Sequence, residues 1–179
     1  MAAQLNDNVQ QKLFLGTEFL TWLWFRAETG EGRFEMAGPG EFEVEVDTQV
    51  ALADEGDADV RAVSLKGDAP GPSELIRRAI ADGKKIHRAK MRVVWQNHAW
   101  SCQINGETLD VSGIKLPTAA ASGGNIGEYL RLRLETMEGF LSVWEHLYAY
   151  YLALRLDPDR WAEETQRLGM YLDDQLQNA

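Results

Sequence analysis

The chain has 179 residues, 45% hydrophobic and 26% charged with five prolines, a composition that fits one globular domain able to bury a core without covalent staples. Eighteen basic against twenty-eight acidic residues give a formal charge of -10, which excludes a generally basic protein that coats any polyanion but leaves room for a local basic patch. The single cysteine, Cys102, excludes a disulfide framework, and the absence of a leader-like N-terminus or a long uncharged stretch predicts a cytoplasmic protein with no membrane partner.

In chain order, residues 1–12 are polar and predict a frayed end. The apolar run from Phe14 to Phe25 predicts a helix over 17–28 with Thr17 as N-cap and Glu18 in the first turn. Glycines and Pro39 then predict a loop through Gly40. Strict alternation from Glu41 to Val46, acids on one side and Phe42, Val44 and Val46 on the other, predicts a half-buried strand continuing to Leu52. A turn at 54–57, a partner strand over 59–66 and a break at 68–72 follow. A short helix over 72–82 should bury Leu75, Ile76, Ala79 and Ile80 and stop at Gly83.

Lys84 to Gln96 alternates again, with Arg88, Lys90 and Arg92 opposite Ala89, Met91, Val93 and Trp95. After a turn at Asn97-His98, a strand through Trp100, Cys102 and Ile104 leads to Asn105-Gly106, a hairpin signal. Returning strands are expected at 108–111 and 114–116. A small-residue linker, 118–124, precedes a helix over 125–156, and Asp157-Pro158 opens a final helix. The expected fold is a single α+β domain: an antiparallel sheet of about five strands with a short crossing helix and an N-terminal helix (13–117), then a long C-terminal helical pair (125–177).

Chemistry is sparse. His87, His98 and His146 lack metal-ligand spacing, so no cofactor or metal is expected. Cys102 shares an apolar strand face, the position of a small buried hydrophobe rather than a nucleophile. Asp157/Asp159 and Glu163/Glu164 lie near a helix start, where acids complement the dipole. The glycines at 123–127 lack the lysine and hydroxyl of a phosphate loop. Glu41, Glu43 and Glu45 alternate as the carboxylates of a metal-dependent nuclease could, without an identifiable partner residue.

Charge is polarised. Arg77, Arg78, Lys84, Lys85, Arg88, Lys90 and Arg92 place seven of eighteen basic residues within sixteen positions, while eleven of twenty-eight acids lie between Glu28 and Asp59. Arg88, Lys90 and Arg92 would stand about 7 Å apart on one strand face, a row able to follow duplex phosphates without reading bases. The same row could instead pair across strands with Glu41, Glu43 and Glu45. Strand order separates the two: adjacency of these strands favours the ladder. A third surface is apolar. Trp22, Trp24, Phe25, Phe140, Trp144, Leu147, Tyr148 and Tyr151 exceed what one sheet face needs and are expected at an oligomer interface, either of a homodimer or of an interaction module with no DNA contact.

The ordered series Leu15–Trp24, Val60–Lys66, Ser73–Ile76, Ala81–Ile86 and Met91–Gln96 resembles the C-terminal half of the recombination-associated protein RdgC family, and the similarity extends over most of residues 11–156. Family members are generally longer, with an N-terminal half that helps close a ring. The resemblance implies a non-enzymatic homodimer that binds duplex DNA with little sequence preference and modulates recombination proteins such as RecA. It adds Lys66 to the basic residues above as a DNA-contact candidate, and it implies a nucleoid setting.

Overall fold

A computed structural model describes residues 16–36, 40–53, 63–66, 74–96, 98–116, 118, 123 and 125–176, with the backbone alone at 47–49, 63–66, 74 and 174–176. The expected frayed end at 1–12, the turn at 54–57, the break at 68–72 and most of the linker at 118–124 lie outside the described residues.

The architecture is α+β. Helix α1 (16–28) is followed by strands β1 (Arg33–Glu35), β2 (Glu41–Ala53) and β3 (Val63–Lys66), helix α2 (Glu74–Ala81), strands β4 (Lys85–Trp95), β5 (His98–Asn105) and β6 (Val111–Ser112), and helices α3 (Ile126–Arg155) and α4 (Pro158–Leu176). All pairings are antiparallel, in the order β1-β2-β4-β5-β6 with β3 also on β2. Because β4 lies along one edge of β2, β1 and β3 share the other.

Alternation decides which face is inside. Phe42, Val44, Val50 and Leu52 of β2, Ala89, Met91 and Val93 of β4, and Trp100, Cys102 and Ile104 of β5 are buried in one cluster with α1 and α3. The helices cover this face. The opposite face carries Glu43, Glu45, Lys90, Arg92, Ser101 and Gln103. The apolar residues of α1 run nearly all round it, the pattern of a helix enclosed on several sides. Phe19 packs its ring 5.7, 5.4 and 5.0 Å from those of Trp144, Tyr148 and Tyr151, while Trp24 and Phe25 meet Tyr171 of α4. Thr21 ties α1 to the sheet, its hydroxyl donating to the Thr17 carbonyl at 2.9 Å and accepting from Ile86 N–H at 3.0 Å.

Several local expectations change. Residue 16 is already helical, so Thr17 lies buried inside the first turn rather than capping it. Leu75 is exposed, and α2 turns Ile76 and Ile80 inward. Its stop is as expected: Gly83 has φ +92°, and Gly83 and Lys84 N–H groups donate back to the Ile80 and Ala79 carbonyls. The strand β1 was hidden in an expected loop, and residues 114–116 form no strand. At 105–110 the turn is longer than two residues, closed by Leu109 at φ 60° and its N–H bond to the Asn105 carbonyl. Gly106 serves closeness: a Cβ at Gly16 would lie 2.0 Å from the Gly106 carbonyl oxygen, and one at Gly106 3.0 Å from the Leu20 side chain.

Candidate binding surfaces

The register of β2 and β4 governs the basic row. Arg92 stands opposite Glu45, and its guanidinium donates to that carboxylate at 2.8 Å. Glu43 stands opposite Val94, so its partner comes from the other side, Arg33 of β1 at 3.4 Å. Lys90 also has a partner. Arg88, opposite Ala51 and Asn105, is exposed and has no ion pair to a described residue. The cross-strand ladder is therefore built in part. Each such exposed pair stabilises by about 0.2–1 kcal/mol, little enough for a phosphate to compete. The larger effect is the field. Adjacent strands stand about 4.8 Å apart, well inside a screening length of about 8 Å, so carboxylates of β2 oppose an approaching polyanion. On the other flank β5 places Asn105, Gln103 and Ser101 opposite Arg88, Lys90 and Arg92, a neutral hydrogen-bonding margin.

The remaining basic candidates do not extend the row. Arg77 lies over the Tyr171 ring, 5.8 Å from its centroid, and faces Glu28, whose carboxyl is raised by burial against the opposing pull of that guanidinium. It holds α2 to α4. Arg78 is exposed on α2, Lys84 and Lys85 are half-buried at the start of β4, and Lys85 has a partner. Lys66 pairs opposite Gln49, with its side chain outside the described atoms.

The aromatic candidates divide. Trp22, Trp24, Phe25, Phe140, Leu147 and Tyr151 are buried in the chain's own core, so an interface built on them is corrected: this fold leaves them no surface to share. Trp144 and Tyr148 remain half-exposed. The exposed apolar surface lies instead at the start of α3 and along its outer side: Ile126, Leu130, Leu134 and Leu141 are 74%, 53%, 62% and 47% exposed. In α3 the first fully buried residue is Phe140, so fourteen residues, about 21 Å of helix, precede it. Leu134, Met137, Leu141, Trp144 and Tyr148 step alternately by three and four, a coiled-coil seam. Asn125 caps this helix by accepting from Glu128 N–H at 3.1 Å, and Arg131 is held by Glu128 and Glu135.

Among the described residues no group of three His, Cys, Asp or Glu side chains converges. His87 meets Glu107, His98 stacks on Trp100, and His146 reaches the Glu35 carbonyl, three separate places. Burial pushes the Cys102 thiol up to about 12, so it carries almost no thiolate near neutrality.

A cavity of about 330 Å³ opens between α1, α4 and the α2–β4 turn. Sequence reasoning missed it because its walls come from three separate segments. Two carboxylates at its edge are already engaged. Glu164 accepts from Trp22 Nε1 at 3.0 Å, Arg26 at 3.2 Å and Arg167 at 3.1 Å, and Glu18 from Arg155 at 2.8 Å and the Tyr151 hydroxyl at 3.1 Å.

No helix among the described residues is long and apolar enough to cross a membrane. In comparison with known proteins, no family model and no curated protein matches the chain.

Proposed function

We propose that this chain is a non-enzymatic, RdgC-like protein that works as an assembly of like copies and, once assembled, contacts duplex DNA without sequence preference. The observation that carries the reading is the free half of α3. Four large aliphatic side chains stand exposed along one helix, more than scattered surface apolar residues would leave. A second copy suits this seam: in a parallel pair, Arg133 and Glu138 flank it at positions where each cation meets the other copy's carboxylate. Sedimentation tests the assembly, since Leu134→Glu with Leu141→Glu should give a folded monomer.

DNA contact is supported by the resemblance and by the neutral flank that β5 offers beside β4. One copy presents a short row, half neutralised by β2, and carries a formal charge of -10. Weak faces gain from being joined, so assembly should precede measurable binding. Duplex binding at low salt should fall steeply as salt rises, and Arg88→Ala should reduce the salt slope by about 1. The monomeric variant should bind at least several-fold more weakly. Absence of binding at low salt with the assembly intact rejects the DNA half and leaves an interaction module with no DNA contact.

A further inference from the structure

We propose that the cavity between α1, α4 and the α2–β4 turn binds a small apolar molecule bearing one carboxylate, of the size of an arylalkanoic acid. The volume, about 330 Å³, lies at the low end of small-molecule sites, which run from about 300 to 1,000 Å³. The walls are apolar: Trp22, Phe25, Ile80, Trp161, Leu168 and Leu172 line it. Such walls favour a hydrocarbon body and leave selectivity to the charged groups at the edge.

Four charged side chains line the cavity, Glu18 and Glu164 against Lys84 and Lys85, and Lys85 has a partner. Arg26, Arg155 and Arg167 are matched in number by Glu18, Glu31 and Glu164, with which they form ion pairs. Glu18 and Glu164, the two carboxylates that line the cavity, are thus neutralised from outside it. Lys84 also lines the cavity and has no ion pair to a described residue. The Lys84 side chain, on a half-buried residue beside apolar walls, is thus available to a ligand carboxylate.

Gly169 gives a way to block the space. It lies within α4, where glycine weakens a helix, and it lines the cavity. A Cβ there would meet nothing within 4 Å. Gly169→Leu should therefore be accommodated without a clash and narrow the cavity at this wall, and the fold should persist because a helix interior favours leucine over glycine.

The test uses calorimetric titration of the full chain with 3-phenylpropionate and with its neutral amide. The acid should bind about tenfold or more tighter than the amide, the range of a charge-assisted hydrogen bond. In Lys84→Met the acid should fall to the level of the amide. In Gly169→Leu neither should bind, with a melting temperature equal to or above that of the parent. Equal binding of acid and amide to the parent chain overturns the carboxylate assignment. No binding of the acid, or binding unaltered in a folded Gly169→Leu variant, overturns the site.

Discussion

Both halves of α3 carry apolar residues at helical spacing, six of fourteen before Phe140 and twelve of sixteen from it onward, and their fates are opposite. From Phe140 onward, Phe140, Val143, Leu147, Tyr151 and Leu154 are buried against the sheet and α1; from Ile126 to Gly139 nothing is fully buried. The difference is one of supply. Among the described residues the core cluster reaches no residue of 126–139, so a helix of about 45 Å outruns the layer described beneath it. Apolar residues that meet a layer become core, and identical residues that do not become surface. The lesson is that apolar periodicity reports a face that seeks burial, without saying whether this chain provides the cover.

Substitutions on either half sharpen that contrast, and the largest effect belongs to the covered half. Phe140→Ala should destabilise by about 3–5 kcal/mol in chemical denaturation, because its ring fills space against Trp100 and Trp144. Tyr151→Phe keeps the packing and removes the hydroxyl bond to Glu18, a loss of about 1 kcal/mol. Cys102, behind the covered half, should resist alkylation at pH 8, where a thiol pushed up to about 12 is about one part in ten thousand ionised, and should label only on unfolding. Across the sheet, Arg92→Ala should cost no more than about 1 kcal/mol, since the Glu45 pair is half exposed. Smallest of all, Leu134→Glu should change the stability of a single copy by less than about 0.5 kcal/mol.

Much of the fold was legible. Alternation placed β2, β4 and β5, and Asp157-Pro158 separated α3 from α4, because these signals are local and long. The three-residue β1 escaped notice because it is too short to show a period. Asn105-Gly106 suggested a tight turn, yet Gly106 answers to a helix packed against it from ninety residues earlier. The candidate surfaces were less legible. Phe140 and Leu141 belong to neighbouring stripes of equal apolarity, and only the position of the sheet assigns one inward and the other outward. The neutralisation of Arg92 likewise depends on β2 lying beside β4, a fact of topology that neither strand encodes alone. The cavity depends on three segments at once and left no mark on any of them.

The most direct test is sedimentation of the full chain at micromolar concentration beside its Leu134→Glu/Leu141→Glu variant, with circular dichroism on both. The parent should sediment as a dimer or larger species, and the variant as a monomer with an unchanged spectrum and melting temperature. A parent chain that sediments as a monomer, or a double variant that remains associated, would contradict assembly along the free half of α3.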